Sequence, residues 1–262
     1  DPSVSLEAAQ QGKLDLICRK LRLGPDRRLL DIGCGWGGLL VHASQRHEVK
    51  AEGITLSAAQ AEMATERIAR GELEPSCRVN VRDYRDVDAR GQYDALVSVG
   101  MFEHVGEAEL EGYFEQARGL LKPGGLFLNH GIARNYHHFV GRGRSFAAHH
   151  VFPDGELVPL STSLKVAEKA GFEVRDVESL REHYALTLRH WVRRLEERHE
   201  EALQVVDESV YRVWRLYMAG AAHGFRTGRM SVYQVLLSKP GPGGETGLPL
   251  TRHHMLCGRD SS

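Results

Sequence analysis

The chain has 262 residues, enough for one substantial domain or two small ones, and its 42% apolar and 26% charged residues exclude a disordered or coiled-coil protein. Its 34 Lys and Arg nearly cancel its 35 Asp and Glu, so the net charge gives no reason to expect a nucleic acid as partner. No apolar run reaches the roughly 20 residues of a membrane span, and the first residues lack the apolar core of a signal peptide. We expect a cytoplasmic protein. The four cysteines, Cys18, Cys34, Cys77 and Cys257, are too widely spaced for a metal-ligand motif, so we expect no metal site.

Short β-branched runs alternate with helical patterns along most of the chain, which predicts a parallel sheet with crossover helices. The predicted strands are residues 28–32, 49–55, 78–82, 93–99, 126–129, 172–178 and 231–238. The predicted helices are residues 6–22, 58–71 after the N-cap Ser57, 107–121, 161–170, 184–206 and 208–224. We expect one α/β domain over residues 1–240. Residues 133–228 contribute a helical and loop cover to it, and a Gly/Pro-rich tail over residues 241–262 is expected to be disordered.

A glycine-rich turn follows the first predicted strand and contains Gly33, Gly35, Gly37 and Gly38. Glycines there let a ligand approach the backbone closely, because a Cβ would collide with it. Three interpretations are open: a structural turn, a dinucleotide site, and a site for S-adenosylmethionine. The spacing also satisfies G-x-G-x-x-G, with Glu52 about 20 residues on, as a dinucleotide site would require.

Three residues argue against a dinucleotide. Asp31, two residues before the first glycine, is better placed to hold an ammonium group than a pyrophosphate. Glu52 lies three residues before the end of its strand and would not reach the ligand crevice. The ring of Trp36 would occupy the space that a pyrophosphate needs. The pattern therefore favours S-adenosylmethionine.

A second ligand signal lies at the end of the third predicted strand, where Asp83 precedes Tyr84. A carboxylate beside an aromatic ring suits an adenine, whose exocyclic amine needs an acceptor and whose face needs stacking. The alternative is an exposed loop acid with no ligand.

Several longer strings indicate a family. They are LDIGCGWG from Leu30, GITLSAAQ from Gly53, DYRD from Asp83, SVGMFEHVG from Ser98, NHGI from Asn129, FPDGEL from Phe152 and HYALTLRHW from His183. In these strings the sequence resembles the cyclopropane-fatty-acyl-phospholipid synthase and mycolic acid cyclopropane synthase family of S-adenosylmethionine-dependent methyltransferases. The resemblance covers roughly residues 5–239. It implies a Rossmann-like, seven-stranded class I methyltransferase sheet with helices on both faces.

The resemblance also implies positions for the cofactor and for catalysis. Together with Asp31, the implied cofactor-binding residues are Gly33, Gly35, Gly37, Thr55, Leu56, Gln60, Asp83, Tyr84 and Val99. The implied catalytic residues are Glu103, His130 and Tyr184, which with the Ile132 backbone would hold a bicarbonate that acts as base. Each could instead be structural. Glu103 could be a charge at the start of a helix, His130 a core histidine whose hydrogen bonds are made within the protein, and Tyr184 a residue of the hydrophobic core.

The resemblance implies methyl transfer to the cis double bond of an unsaturated phospholipid acyl chain, which gives a cyclopropane or a methyl branch. Alternatives are N- or C-methyl transfer to a small molecule, and a catalytically silent cofactor-binding subunit. The apolar stripe of the two long helices at 184–224 could line an acyl channel or be core. Arg134, Arg142 and Arg144 could face phosphate headgroups at the inner face of the membrane, or be solvated. A homodimer is expected by resemblance.

Overall fold

A computed structural model describes residues 3–137 and 145–256. Its seven strands are β1 (Arg28–Ile32), β2 (Lys50–Thr55), β3 (Cys77–Val81), β4 (Tyr93–Val99), β5 (Leu121–Arg134), β6 (Glu173–Ser179) and β7 (Met230–Ser238). They form one sheet in the order β3-β2-β1-β4-β5-β7-β6. The first five strands pair in parallel, and β7 runs antiparallel between β5 and β6.

The helices of four residues or more in the described ranges are α1 (Leu6–Lys20), α2 (Gly38–His47), α3 (Ala58–Arg70), α4 (Leu110–Leu120), α5 (Phe146–His150), α6 (Leu160–Lys169), α7 (Arg181–Glu197), α8 (His199–Ala202), α9 (Glu208–Arg226) and α10 (His253–Leu256). Helix α3 begins where the sequence predicts, because the Ser57 hydroxyl accepts a hydrogen bond from the Gln60 N–H at 3.3 Å. Within the described ranges, no helix combines the length and apolarity that crossing a bilayer requires.

Side chains alternate between two buried clusters because successive residues of a strand point to opposite faces. In β1, Leu29 belongs to the cluster that includes α1 and α2, and Leu30 to the cluster that includes α4 and α6. The chain order of the strands reverses at β1, which has β2 on one side and β4 on the other. The carboxyl ends of β1 and β4 therefore border the crevice where open α/β sheets bind ligands.

Among the predicted elements, one strand and one helix differ most from the structure. Strand β5 was predicted over residues 126–129 but extends at both ends, since Leu121 pairs with Tyr93 and Arg134 pairs with Met230. The helix predicted over residues 184–206 is broken at Arg198, which adopts φ −113° and ψ 34° between α7 and α8. Of the predicted cover loop, residues 138–144, with Arg142 and Arg144, lie outside the described residues.

The tail expected to be disordered contacts α1 at Met255, although Leu250 and Leu256 are exposed. The Met255 side chain is buried in the cluster that also contains Ile17 and Leu21 of α1 and its flank, and the Arg19 side chain donates to the Met255 carbonyl at 3.1 Å. Local composition did not show these contacts, because they join positions more than 230 residues apart. The rest of the predicted tail, residues 257–262 with Cys257, lies outside the described residues.

A buried ion pair fixes α1 against β6, the strand at one edge of the sheet. The Lys20 ammonium is 1% exposed and lies 3.1 Å from the Asp176 carboxylate of β6. Asp176 also accepts from Arg252 at 3.0 Å. Because a buried charge is costly unless it is paired, this contact holds α1 in one place over the sheet edge.

Candidate active site

The glycine turn leaves β1 with three left-handed residues, Gly33 (φ 80°), Gly35 (φ 54°) and Gly37 (φ 75°). A Cβ on Gly33 would lie 2.7 Å from the Met101 Cβ, and a Cβ on Gly37 would lie 2.9 Å from the Ala64 Cβ. A Cβ on Gly35 would meet nothing within 4 Å. Gly33 and Gly37 are therefore explained by packing as well as by conformation, whereas Gly35 faces open space where a ligand could approach the backbone.

Asp31, the acid before the turn, is buried at 3% exposure. Its Oδ1 atom has no hydrogen-bond partner among the described residues. Burial raises the pKa of this carboxyl to about 7, and the positive charge of Lys13 counteracts part of that rise. An unpartnered buried carboxyl is costly for the fold and is suited to a cationic ligand group, because such a group would supply the missing hydrogen bonds.

The cofactor-binding residues predicted at the end of the second strand take part in a local hydrogen-bond network. Thr55 donates to the Gln60 side-chain oxygen at 2.8 Å and accepts from the Ser57 N–H at 3.2 Å. The Leu56 side chain is 74% exposed, which leaves an apolar group free at the carboxyl edge. Glu52 does not reach that edge: its carboxylate accepts from Tyr93 at 3.0 Å and from Arg78 at 2.8 Å. This agrees with the argument against a dinucleotide.

Asp83 and Tyr84 lie just beyond β3, where Asp83 caps a short 3₁₀ turn. The Asp83 carboxylate accepts from the Arg85 N–H at 2.9 Å and from the Arg85 guanidinium at 2.7 and 3.0 Å, contacts that hold its pKa below the ordinary value. The Tyr84 ring packs edge-on against the ring of Tyr113 at 5.4 Å. Asp83 thus has a structural partner that the sequence did not reveal, which an adenine amine would have to share. Val99, at the end of β4, lines a cavity.

Glu103, just beyond β4, and His130, within the neighbouring strand β5, line the same cavity. Glu103 Oε1 accepts from the Ile132 N–H at 2.6 Å, while its Oε2 is buried without a described partner. Burial raises the pKa of Glu103. The Gln234 amide donates to His130 Nδ1 at 3.2 Å, and burial followed by the charges of Lys13 and Lys20 lowers the pKa of His130 to about 3. His130 is therefore a neutral imidazole whose proton lies on Nε2.

Tyr184 joins this group from the first turn of α7. Burial, Tyr217 and Glu103 together raise the pKa of its hydroxyl, so it stays protonated. Its ring packs edge-on against Phe225 at 4.8 Å. Tyr217 of α9, which the sequence placed only in an apolar stripe, also interacts electrostatically with Glu103. The structure thus brings the three predicted catalytic side chains together, with a second tyrosine beside them.

These groups lie at one cavity of about 760 Å³. Its lining includes the predicted residues Val99, Glu103, His130, Ile132 and Tyr184, and Leu186 and Trp191 of α7. Helix α1 forms another wall, with Ala9, Lys13 and Leu16 at the i, i+4 and i+7 spacing of one helix face. The sequence motifs did not indicate that α1 forms part of the site. A lysine on that otherwise apolar face was the available signal.

A second group of polar side chains lies between α1 and α2. Cys18, His42 and His47 bring potential ligand atoms within 4.8 Å of one another, although no metal site was expected. His42 Nε2 lies 2.8 Å from the Asp15 carboxylate, and burial raises the pKa of the Cys18 thiol to about 12. We assign no metal to this cluster.

Comparison with known proteins places this geometry in a family. A family model described as mycolic acid cyclopropane synthetase matches residues 1–235. A probable fatty acid methyltransferase of Pseudomonas putida is 45% identical over 258 residues, which are 97% of this chain and 66% of that protein. A cyclopropane-fatty-acyl-phospholipid synthase of Escherichia coli K12 is 35% identical over 95% of this chain and 62% of its own length. The chain thus spans roughly two thirds or less of these longer relatives.

Solved structures of cyclopropane synthases match this chain in fold. The cyclopropane synthase MmaA2 of Mycobacterium tuberculosis superposes with a TM-score of 0.84 at 32% identity, over 90% of this chain and 86% of that one. The mycolic acid cyclopropane synthase CmaA1, in a complex with SAH and CTAB, also gives 0.84, at 33% identity, over 89% of this chain and 85% of that one. These likenesses confirm the predicted class I methyltransferase fold. The chain belongs to the mycolic acid cyclopropane synthetase family.

Proposed function

We propose that this chain transfers a methyl group from S-adenosylmethionine to the cis double bond of unsaturated phospholipid acyl chains, and so forms a cyclopropane or a methyl branch. The family membership and the names of the relatives support the reaction class. The observation that carries the proposal is the cavity, whose mostly apolar lining includes Leu16, Leu186 and Trp191 and also contains Glu103 and His130. An acyl chain needs such a slot, whereas a water-soluble amine does not.

The residues at the glycine turn fit the methyl donor. Asp31 offers an unpartnered carboxyl oxygen for the ammonium of the amino-acid part, and Gly35 leaves open space beside the backbone. The exposed Leu56 and the ring of Tyr84 are apolar groups for the adenine, and Thr55 and Gln60 offer polar atoms for the ribose. When bound, the cofactor supplies an electrophilic methyl sulfonium. The protein then has mainly to align it with the double bond and exclude water.

After methyl transfer, a cyclopropane forms only when a base removes a proton from the new methyl group. We propose that bicarbonate supplies this base and that Glu103, His130 and Tyr184 hold it. His130 Nε2–H and the Tyr184 hydroxyl can each donate a hydrogen bond to the bicarbonate anion. Because the pKa of Glu103 is raised, its carboxyl can be protonated, and a protonated carboxyl is not repelled by the anion. The Ile132 backbone is the further group expected at the bicarbonate, and its N–H donates to Glu103, which orients that carboxyl.

Contact with a membrane surface and a homodimer are further parts of the proposal. An acyl substrate inside a bilayer has to be reached from its surface, and the half-buried Arg134 at the end of β5 is the described member of the three arginines predicted to face headgroups. Binding to anionic vesicles in a flotation assay tests the first, and analytical ultracentrifugation tests the second.

The reaction itself is tested with the full chain, S-adenosylmethionine and dioleoyl phospholipid vesicles. We expect S-adenosylhomocysteine to be released and the acyl chains to gain the mass of one CH₂ unit. Saturated phospholipid vesicles are the matched control and should give neither. Turnover with small amines but not with vesicles would replace the proposal by amine methylation. Cofactor binding without turnover on any acceptor would identify a silent subunit.

A further inference from the structure

One side chain of β7 departs from the apolar pattern of its strand. Val232 and Leu236 are apolar and buried, whereas Gln234, between them on the same face, is polar and 0% exposed. In the antiparallel register the residue directly opposite Gln234 on β5 is His130. A polar pair thus lies between apolar neighbours, at a wall of the cavity that His130 lines.

A hydrogen bond joins the two side chains of this pair. The Gln234 amide nitrogen donates to His130 Nδ1 at 3.2 Å, while the Gln234 Oε1 is buried without a partner in the described ranges. A buried amide oxygen that accepts no hydrogen bond destabilises the fold, and an apolar side chain at this position would cost less. The amide is therefore explained by its contact with His130 rather than by the packing of the sheet.

The hydrogen bond at one ring nitrogen of a neutral histidine decides which nitrogen carries the proton. Because Gln234 donates to Nδ1, the His130 proton lies on Nε2, the nitrogen left for a ligand in the cavity. We infer that Gln234 is a positioning residue, which fixes the tautomer and ring orientation of His130 so that this wall of the cavity presents an N–H to an anion. With the amide reversed, Nε2 would present a lone pair and would disfavour the same anion. The inference rests on the proposed role of His130 at bicarbonate.

The charges around His130 show why an uncharged side chain is needed at Gln234. The titratable groups around the ring are Lys13 and Lys20 of α1, Glu103 beyond β4, Glu178 of β6 and Tyr184 of α7. Glu178 lies directly opposite Gln234 on β6, and its carboxylate accepts from Lys20 at 2.5 Å. Gln234 thus separates the His130 ring from the Glu178 carboxylate along one row of the sheet. A second carboxylate at this position would favour a charged imidazole.

Two variants of Gln234 in the full chain test the inference by histidine ¹⁵N NMR, which reads the protonation of each ring nitrogen. Gln234→Met is similar in size but donates no hydrogen bond, so the His130 proton should be shared between the two nitrogens. Gln234→Glu is similar in shape but offers a carboxylate, which should draw a proton to Nδ1 and raise the pKa of His130. The His130 signals are identified by their loss in His130→Asn. The matched controls Gln204→Met and Gln204→Glu, at an exposed position, should leave those signals unchanged.

The same variants are assayed for turnover on dioleoyl vesicles over a range of bicarbonate concentrations. A neutral hydrogen bond contributes roughly 2- to 13-fold to an equilibrium constant. In Gln234→Met we therefore expect the bicarbonate concentration for half-maximal turnover to rise by about this factor. The Kd for S-adenosylhomocysteine should stay the same, because Gln234 acts through His130 and not through the cofactor.

The outcomes separate this inference from the proposed function. A proton on His130 Nδ1 in the unmodified chain would overturn the inference, because Gln234 would then accept rather than donate. An Nε2 proton that persists in Gln234→Met would overturn it too, and with a lower melting temperature it would make Gln234 structural. Turnover independent of bicarbonate in the unmodified chain would instead refute the proposed base. The NMR measurement would still decide whether Gln234 sets the His130 tautomer.

Discussion

Replacing Glu103 by Gln tests the role of the buried carboxyl with little change in shape. The Gln side-chain oxygen can still accept from the Ile132 N–H, which Glu103 accepts at 2.6 Å, so the local backbone should be preserved. The variant loses the acid function. General acid–base groups contribute about 10²- to 10⁴-fold in rate, or about 2.7–5.5 kcal/mol of barrier. We therefore expect turnover on dioleoyl vesicles to fall at least 100-fold while the Kd for S-adenosylhomocysteine changes less than about twofold.

The stability of the same variant depends on pH in a defined direction. Burial raises the pKa of Glu103 above its ordinary value of 4.5, so the folded state binds the proton more tightly than the unfolded state. The unmodified chain thus loses stability as pH rises from about 4 through the raised pKa, and the Glu103→Gln variant would not lose it, because its amide does not titrate. The stability advantage of Glu103→Gln should grow with pH in urea unfolding experiments. Glu103→Ala instead leaves the Ile132 N–H unpartnered and should cost about 1–3 kcal/mol.

The assay is release of S-adenosylhomocysteine, with the acyl product followed by mass spectrometry. Unchanged turnover in Glu103→Gln, at normal cofactor affinity, would refute the reasoning that places this carboxyl in the chemistry. A fall in cofactor affinity equal to the fall in turnover would refute it too, because Glu103 would then belong to the cofactor site.

Three further variants test other parts of the account. The Asp31 pKa of about 7 predicts that the affinity for S-adenosylhomocysteine falls up to tenfold per unit as pH drops below about 7, and Asp31→Asn should bind more weakly and lose this dependence in calorimetry. Lys20→Met removes one partner of the buried Asp176 carboxylate and should lower the free energy of unfolding by about 3 kcal/mol in urea unfolding. The control Lys50→Met, at an exposed ion pair, should lower it by about 0.5 kcal/mol or less. Gly37→Ala forces a Cβ at φ 75° to within 2.9 Å of another Cβ and should lower the melting temperature, whereas Gly112→Ala, in α4 with nothing within 4 Å, should not. A Lys20 or Gly37 variant as stable as its control, or an Asp31 variant with unchanged binding, would contradict the corresponding assignment.

The sheet could be predicted from the sequence because its strands are local signals. The apolar runs of β1 and β4 begin and end where the pattern predicts, and Ser57 caps α3 through its own hydroxyl. The extension of β5 to Arg134 could not be predicted locally, since it depends on pairing with β7 about 100 residues away. The packing of Met255 depends in the same way on α1.

The candidate site was predictable where a motif supplied both residue type and position. The resemblance implied a shared site for Glu103, His130 and Tyr184, and in the structure all three line one cavity. It did not indicate that the Ile132 N–H is used by Glu103 or that Arg85 occupies the Asp83 carboxylate, because both contacts depend on side-chain geometry. Lys13 was missed because a single lysine on a helix is usually a solvated residue.

The central claim is that the turn after β1 holds the cofactor beside the apolar cavity, and a crystal structure of the full chain with S-adenosylhomocysteine tests it most directly. The account predicts density for the nucleoside along Gly33, Gly35 and Gly37, with the ammonium at Asp31 and the sulfur directed toward the Glu103 and His130 side of the cavity. Density for the nucleoside at any other place on the sheet, with this turn empty, would contradict it.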